Sequence, residues 1–491
     1  MGLSRPRPAT GNLKIERYIP AGNTNWRLLG SPIQNRRVVH WQDDFFTAGY
    51  PGSQYPNFYD PPGSGIFWPS IRWYDEINTG ANVNDGLIGV SSQNQNLIPG
   101  QGFAVWCGTN LDTTYAFTID LENNAPVIAT TPITLPMTYT NTGEALVDGW
   151  NLVANPLPSA IAFDQINRGA DVEDYITYYN PANGNTAVWD IGLNFGTNGA
   201  TNTIQSMQGF FLKASGPAVT TTVEESHKVN DNSGGLFGGL EQNTVPALRL
   251  RITSGINTFS DEAAIVFHEG TPGLDASDVQ KFVLAAPTAP QIATLAPNGT
   301  MIAINAHGGI AQGLSIPVSV NAGVTGQYTI TLNEQGDLGL SCITLEDLVT
   351  GAITPMNNGA SYSFQLDAAA DASVARFMIH ATAPALLYTE DATCGGTPNG
   401  EATIVVQGGP HDITWYNGDG DVLLTQMGVA EGVAIITGLD AGSYTVSLSA
   451  GACPGLYSEF TISAPFVLEA QADAMNASCA DAADGIIDML P

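Results

Sequence analysis

An internal repeat constrains the fold of this chain more than any other feature. The segment WRLLGSP at residues 26–32 recurs as WNLVANP at residues 150–156. Two further matched pairs follow in the same order, 71–74 with 176–179 and 101–103 with 208–210. Because a repeated sequence folds into a repeated unit, we predict two copies of one module in the N-terminal region. The first copy carries the longer loop, which lies within residues 33–70.

Strand-length alternation of apolar and polar residues is the main secondary-structure signal. Leu248, Leu250 and Ile252 alternate with arginines, and similar patterns occur at 264–267 and 376–380. The 54 Gly and 30 Pro punctuate the chain, as turns between short strands require. We therefore predict an all-β chain of serial β-sandwich or immunoglobulin-like domains, with an internally duplicated β module at the N-terminus.

The C-terminal region contains a second repeat. Residues 392–400 recur in outline at 477–485, which predicts one immunoglobulin-like domain followed by the start of another. The predicted layout is an N-terminal segment (1–23), a first module with an aromatic loop (24–140), a second module (141–230), a Gly-rich linker (231–244), a β-sandwich domain (245–383), an immunoglobulin-like repeat (384–465) and the start of a further repeat (466–491).

The charge of the chain excludes two classes of partner. Fifteen Lys and Arg stand against 46 Asp and Glu, which gives a formal net charge of −31 at pH 7. A surface this acidic repels phosphate backbones and anionic membranes, so nucleic acid is not an expected partner. The longest apolar stretches have the length of strands, so no membrane span is predicted.

No pattern of catalytic residues is visible. The six His are scattered, and neither HExxH, GxSxG nor a Gly-rich phosphate loop occurs. With 46 Asp and Glu, carboxylate pairs at any spacing are expected by chance. We therefore predict that the chain is not an enzyme, with no catalytic residues and no bound organic cofactor.

One short loop has the spacing of a calcium site. Asn417, Asp419 and Asp421 place side-chain oxygens at alternate positions, as calcium loops do. The loop also lies between two predicted strands, where the same residues would form a hairpin turn. Calcium is thus the one metal that the sequence suggests, and the hairpin turn is the alternative.

The long loop of the first module is rich in aromatic residues. Exposed aromatic rings on a β-scaffold can stack on sugar faces, whereas buried rings fill an irregular core. Both interpretations stay open for the ligand-binding candidates, which are Trp41, Tyr50, Tyr55, Tyr59 and Trp68.

The five cysteines form no metal-binding spacing. Cys394 and Cys453 fall within one predicted domain, so they are the candidate disulfide, and buried free thiols are the alternative.

Several motifs resemble large surface and secreted proteins of the Bacteroidetes that the type IX secretion system exports. They are the WNLVANP segment, the Gln-Gly-Phe at 208–210 and the stretch SDEAAIVF at 260–267. The unit at 384–465, with Trp415 and LDAGSYTV at 439–446, resembles the repeats of gliding-type adhesins. The signal peptide and the C-terminal sorting domain of such proteins are not recognisable, so we expect a fragment of a larger protein.

The resemblance implies an extracellular or cell-surface location and a structural or adhesive role. Residues 466–491 are expected to complete a sheet edge by strand addition, either on the preceding domain or on a neighbouring copy, where head-to-tail contact would build a filament. The expected partners are other copies of the chain or a surface glycan. The alternative function is a carbohydrate-binding region accessory to an exported hydrolase.

Overall fold

The fold was examined in a computed structural model of the 491-residue chain. It describes residues 13–21, 26–77, 80, 82–108, 116–123, 131–144, 146–230, 245–268, 274–308, 314–335, 342–356, 358–368, 370–382, 386–393, 396–406, 411–429, 432–449, 456–465 and 471–490. Within these ranges the chain is all-β, and its helices are short 3-10 turns. None of the helices in this part of the chain is long and apolar enough to cross a membrane.

The first module is a small sheet with strands added at its periphery. Its strands are β1 (Leu13–Ile19), β2 (Trp26–Leu29), β3 (Arg36–Arg37), β4 (Ile71–Tyr74), β5 (Leu87–Gly89), β6 (Asn96–Leu97), β7 (Phe103–Trp106) and β8 (Phe117–Asn123), with 3-10 helices at Val38–Trp41 and Val83–Gly86. The central sheet has the order β2-β7-β4-β5, while β1 pairs with β8 and β3 with β6.

The second module repeats this arrangement. Its strands are β9 (Ile133–Thr134), β10 (Trp150–Ala154), β11 (Ile161–Ala162), β12 (Tyr175–Asn180), β13 (Asn185–Asp190), β14 (Phe195–Gly196), β15 (Thr203–Ile204), β16 (Gly209–Lys213) and β17 (Thr222–Val223), with 3-10 helices at Phe163–Gln165 and Glu225–His227. In the order β10-β16-β12-β13-β14, the first four strands match β2-β7-β4-β5 one for one, and β14 extends the second sheet by one strand. The duplication predicted from the sequence is therefore confirmed in the fold.

The Gln-Gly-Phe motif of each module packs against the other module. A Cβ on Gly102 would lie 2.5 Å from the carbonyl oxygen of Val153, and a Cβ on Gly209 would lie 2.8 Å from the carbonyl carbon of Leu28. Since real Cβ atoms do not approach backbone this closely, only glycine allows the two modules to come together. The repeated glycine thus marks the interface between the copies.

The third unit is a folded-over sheet. Its strands are β18 (Ala247–Ser254), β19 (Ser260–Phe267), β20 (Val279–Gln280), β21 (Pro290–Leu295), β22 (Met301–His307), β23 (Leu314–Ala322), β24 (Gly326–Gln335), β25 (Cys342–Asp347), β26 (Ala352–Pro355), β27 (Ser361–Leu366) and β28 (Phe377–Thr382). Hydrogen bonding links them into one 11-stranded sheet in the order β26-β25-β28-β23-β21-β22-β19-β18-β24-β27, with β20 paired to β22.

Contacts between the two ends of this sheet close the sandwich. Phe364 on β27 lies with its ring centroid 4.8 Å from that of Phe377 on β28. The Tyr362 hydroxyl donates to Asp347 Oδ2 at 3.1 Å. The two layers therefore face each other across one apolar core, to which both ends of the sheet contribute.

The second module and the sandwich share buried contacts, although residues 231–244, the predicted linker, lie outside the described residues. The Phe282 ring stacks on Phe211 with centroids 4.2 Å apart and meets Trp150 at 4.7 Å. The Asn198 side-chain amide donates to Asp261 Oδ1 at 2.8 Å. The apolar core consequently runs from one unit into the other.

The immunoglobulin-like domain follows, with strands β29 (Leu386–Glu390), β30 (Gly400–Val406), β31 (His411–Asn417), β32 (Val422–Val429), β33 (Gly432–Leu439), β34 (Gly442–Ser449) and β35 (Leu456–Ile462). Its two sheets have the orders β29-β30-β33 and β32-β31-β34-β35. Trp415 is buried between the sheets, and the Tyr444 hydroxyl donates to the Asp440 carbonyl at 2.9 Å. The last strands, β36 (Gln471–Met475) and β37 (Ile486–Leu490), form a separate hairpin.

Candidate functional site

The aromatic loop of the first module contains both buried and exposed rings. Trp41 and Tyr50 are 0% and 1% exposed, respectively, and belong to the core beneath the loop. The Trp41 and Phe103 rings meet edge to face with centroids 5.8 Å apart. These two ligand-binding candidates are therefore placed where no ligand reaches them.

The other three candidates reach the surface at separate points. Tyr55 is 49% exposed, while Tyr59 and Trp68 are partly buried. Tyr59 pairs with the exposed Phe67 at a centroid distance of 5.0 Å. Tyr55 and Trp68 are linked by a series of ring contacts through Phe46 and Phe58. Within the described residues, the Tyr59 ring contacts Phe67 and does not contact this series.

An aromatic row runs across the surface from Tyr55 to Trp26. We define it by its members, Tyr55, Phe46, Phe58, Trp68, Trp106 and Trp26. The Tyr55 and Phe46 rings are stacked with centroids 5.0 Å apart. Phe58 continues the row, with centroids 6.1 Å from Phe46 and 5.6 Å from Trp68. Aromatic surface is therefore continuous from the loop to the sheet.

Three indoles close the row at the sheet. Trp68 lies 5.2 Å from Trp106 and 5.7 Å from Trp26, and Trp26 and Trp106 are 5.4 Å apart, measured between ring centroids. Each of the three is partly buried. The three indoles, from strand β2, strand β7 and the long loop, thus form one cluster.

Trp26 and Trp68 line a groove of about 230 Å³, which we call the Trp68 groove. Its floor is formed by buried side chains of both modules, among them Leu28 and Tyr179. One wall belongs to the segment of the sandwich domain between β20 and β21. The remaining lining residues are Arg72, Asn84, Leu87, Ala104, Leu284, Ala285, Ala286 and Pro287. The lining side chains are apolar except for Arg72, Asn84, the Tyr179 hydroxyl and the indole nitrogens of Trp26 and Trp68.

Arg72 is the charged residue of the groove. Its guanidinium carbon lies 5.1 Å from the centre of the Trp26 ring, a cation–π contact. Its Nε donates to the Pro69 carbonyl at 3.1 Å, and its terminal nitrogens make no hydrogen bond within the described residues. Burial lowers the pKa of Arg72, and the charge of Asp60 acts in the opposite direction. The side chain therefore offers a fork of unused donors beside aromatic surface.

Sequence reasoning did not select Trp26, Trp106 or Arg72. The available signal was the difference between the two copies, because Arg72 stands where the second module has Thr177. Trp150, the counterpart of Trp26, is fully buried under Phe282 of the sandwich domain. The same repeat position thus forms core in one module and a groove wall in the other.

A larger polar cleft of about 710 Å³ lies between the second module and the sandwich. Its charged lining residues are Asp148, Glu173, Lys213, Asp275 and Asp278. Burial lowers the pKa of Lys213 to about 8, opposed by Glu173 and Asp148. The Lys213 ammonium bonds the Gln280 side chain and lies 5.3 Å from the Trp150 ring centre. Several of these groups therefore already have structural partners.

The calcium candidates form the turn between β31 and β32. Asn417 Oδ1 accepts the backbone N–H groups of Asp419 at 3.1 Å and Asp421 at 2.8 Å. Gly420 completes the turn with φ of 89°. No cluster of three or more His, Cys, Asp or Glu suited to a metal occurs in the described part of the chain. The oxygen of Asn417 is thus engaged by the hairpin, and calcium binding stays a prediction.

The disulfide candidates Cys394 and Cys453 lie outside the described residues. Cys107 is a free, buried thiol, and burial raises its pKa to about 12. Cys479 is free and exposed. The raised pKa keeps the Cys107 thiol protonated, whereas a nucleophilic thiolate needs a lowered pKa.

Strand β32 presents an apolar edge on the immunoglobulin-like domain. It is the terminal strand of its sheet, and no described strand pairs with its outer edge. Met427 is 77% exposed, and the side chains of Val422, Leu423 and Leu424 are exposed as well. The sequence VLLTQMGV contains no charged residue and no proline. We call this feature the β32 edge.

No protein-family model matches the sequence, and a search of curated proteins found no similar one. Among solved structures, one described as "Biofilm associated protein - BSP domain" aligns with 93% of this chain and 96% of its own, at 11% identity and a TM-score of 0.15. A score this low carries no argument about fold or function.

Proposed function

We propose that this chain is a non-catalytic structural and adhesive segment of a bacterial surface protein, which associates with copies of itself by strand addition. The β32 edge carries this proposal. A strand edge has unpaired backbone donors and acceptors, and monomeric proteins normally protect such edges with charges or proline. Here charges and proline are absent from the edge strand, whose pairing with β31 contains two register shifts, in a chain with a net charge of −31.

The composition of the β32 edge favours a partner that is itself a strand. Backbone pairing satisfies the free groups of the edge, and its apolar side chains lose contact with water. Burying one such side chain contributes roughly 1.5 to 3 kcal/mol. The absence of charge at this edge also removes the local repulsion that an acidic chain meets when two copies approach.

The C-terminal hairpin supplies a strand of the required kind. Strands β36 and β37 pair with each other, and their side chains Met475, Ile486, Ile487 and Met489 are exposed. An isolated two-stranded hairpin is marginally stable in water, so its apolar faces gain from a partner. We assign this hairpin as the strand donor to the β32 edge of another copy, which builds a head-to-tail filament.

Light scattering across a range of protein concentrations tests the proposal. We expect the unchanged chain to assemble and the double variant Val422→Lys/Leu424→Lys to stay monomeric, because two charges at the edge oppose pairing. Val349→Lys/Val374→Lys, which adds two charges at exposed valines of the sandwich domain, is the matched control. A chain that stays monomeric at high concentration, or an edge variant that assembles normally, contradicts strand addition.

Export by the type IX system and a cell-surface location belong to the same proposal and rest on the motif resemblance. The absence of catalysis is also part of the proposal, and it rests on the lack of a recognised nucleophile, metal or phosphate-loop motif in the sequence. A second candidate function, carbohydrate binding, is favoured by the aromatic row and the Trp68 groove, which present aromatic surface beside hydrogen-bond donors.

A further inference from the structure

We infer that the Trp68 groove is a binding site for an acidic glycan, in which a sugar ring lies against the indoles and a sugar carboxylate is held by Arg72. This inference gives a ligand to the adhesive part of the proposed function and rests on that part. Self-association at the β32 edge is a separate property of another domain.

The groove matches the apolar and the polar parts of a sugar. A pyranose ring has an apolar face of C–H groups and a rim of hydroxyl groups. Small-ligand sites combine apolar, aromatic lining with a few placed polar groups. Trp26 and Trp68 supply the apolar surface of the groove, and Arg72 and Asn84 supply the polar groups. The Asn84 side chain makes no hydrogen bond within the described residues, so its amide is open to a hydroxyl.

The charge of the groove lining differs from that of the whole chain. The groove lining contains no Asp and no Glu, although the chain has 46 of them against 15 Lys and Arg. Arg72 is therefore a cation in a cavity without acidic lining residues, and Asp60, outside the lining, is a carboxylate whose charge acts on it. A guanidinium with free terminal N–H groups matches the two oxygens of a carboxylate. This complementarity selects an acidic sugar over a neutral one.

The aromatic surface continues beyond the groove. From Trp68 the row leads through Phe58 and Phe46 to the exposed Tyr55. A single bound ring needs only the Trp68 groove, whereas a chain of sugars can lie along the row as well. The ligand is therefore expected to be an oligosaccharide, and affinity should rise with its length.

The two modules differ in whether a neighbouring domain covers this repeat position. Trp150 shows that this repeat position is buried when a neighbouring domain covers it. In the first module the equivalent Trp26 is left partly exposed beside two further indoles and an arginine. Covering three large rings would have stabilised the fold, since their apolar area would leave water.

Isothermal titration calorimetry with an oligogalacturonate tests the inference on the full chain. Tight binding to the acidic oligosaccharide and weak binding to a neutral oligosaccharide of equal length are expected. Arg72→Gln removes the charge at nearly constant size and should weaken oligogalacturonate binding about tenfold, the loss expected for one charge-assisted hydrogen bond. Binding of the neutral sugar should not change.

Trp68→Ala should weaken both sugars, because it removes part of the stacking surface. Phe67→Ala is its control, since Phe67 is exposed and its ring pairs with Tyr59 instead of lining the groove. Circular dichroism melting shows whether each variant is folded, and Arg72→Gln keeps the test decisive if Trp68→Ala lowers the folded fraction.

Three results would overturn the inference: no oligogalacturonate binding, equal binding of acidic and neutral sugars, or binding that Arg72→Gln leaves intact. Tighter binding of a proline-rich peptide would instead identify the groove as a peptide site and would also overturn it. Light scattering on the same variants separates the two proposals, because Arg72→Gln and Trp68→Ala should assemble like the unchanged chain.

Discussion

Gly30 and Ala154 occupy the same position in the two N-terminal modules and face each other across their interface. The Gly30 N–H donates to the Met207 carbonyl at 3.0 Å, and the Ala154 N–H donates to the Gly100 carbonyl at 2.9 Å. These reciprocal bonds join the equivalent segments of the two copies. Only one of the two positions can carry a methyl group, because a Cβ on Gly30 would lie 2.2 Å from the Cβ of Ala154.

Gly30→Ala should therefore destabilise the N-terminal region. The added methyl group forces the two segments apart, and overpacking of this kind costs about 1 to 3 kcal/mol. Chemical denaturation measures the loss. Gly255→Ala is the control, since a Cβ there meets nothing within 4 Å. Equal stability of the two variants would show that the module interface adapts to the methyl group.

Asp261 and Lys281 form a buried ion pair near the junction of the second module and the sandwich, with side chains 0% and 2% exposed. Asp261 also accepts the Asn198 side chain and the Ile292 N–H, each at 2.8 Å. Lys281→Met leaves the buried Asp261 carboxylate without its counter-charge. Such a change lowers the free energy of unfolding by about 3 to 5 kcal/mol.

The double variant Asp261→Asn/Lys281→Met should lose less stability than the sum of its single variants, because neither charge then stays buried alone. Denaturation of all four proteins gives this coupling. Additive losses would mean that the two charges do not stabilise each other.

The fold class and the duplication could be predicted because both depend on local sequence. Alternation along β18 and the repeated Gln-Gly-Phe segments are visible without any tertiary contact. The junction between the second module and the sandwich was less visible. All residues of β12 and β13 are buried, and a strand buried on both faces shows no alternation that indicates its neighbours.

The exposure of single aromatic rings could not be predicted from their surroundings in the sequence. Trp41 and Trp68 lie in the same loop among Pro, Gly and other aromatics, yet one is buried and the other lines a groove. Trp26 and Trp150 share a repeat motif and differ because Phe282, distant in sequence, covers only the second. Tertiary contacts decide which rings remain open to a ligand.

The turn at Asn417 gives a prediction that separates the hairpin from the calcium site. Asn417→Ala removes the acceptor of two backbone N–H groups. We therefore expect the free energy of unfolding to fall by about 1 kcal/mol for each of these hydrogen bonds that water does not replace. If the turn is only a hairpin, the loss is equal in calcium and in chelator. The calcium site would be established instead by two results together. Calcium would raise the melting midpoint of the unchanged chain, and it would leave the midpoint of Asn417→Ala unchanged.

Asp44 should make the chain less stable as the pH rises from about 4 to about 7. Burial raises the pKa of this carboxyl to about 7 from its usual 3.8, with the charges of Asp120 and Asp43 adding to the effect and the Asp120 N–H opposing it. The folded chain therefore holds a proton in this window that the unfolded chain has released, so stability falls towards pH 7. Asp190, whose pKa burial raises to about 6, acts in the same direction.

Asp44→Asn should flatten this fall, because an amide does not ionise. Thermal melting at pH 4.5 and pH 7 on both proteins measures the difference. Lys213 does not interfere, since its folded pKa of about 8 lies above the window and the lysine stays protonated below it in both states. Asp367→Asn, at an exposed position of the sandwich domain, is the control and should keep the full pH dependence. If Asp44→Asn loses as much stability towards pH 7 as the unchanged chain does, another buried group carries the effect.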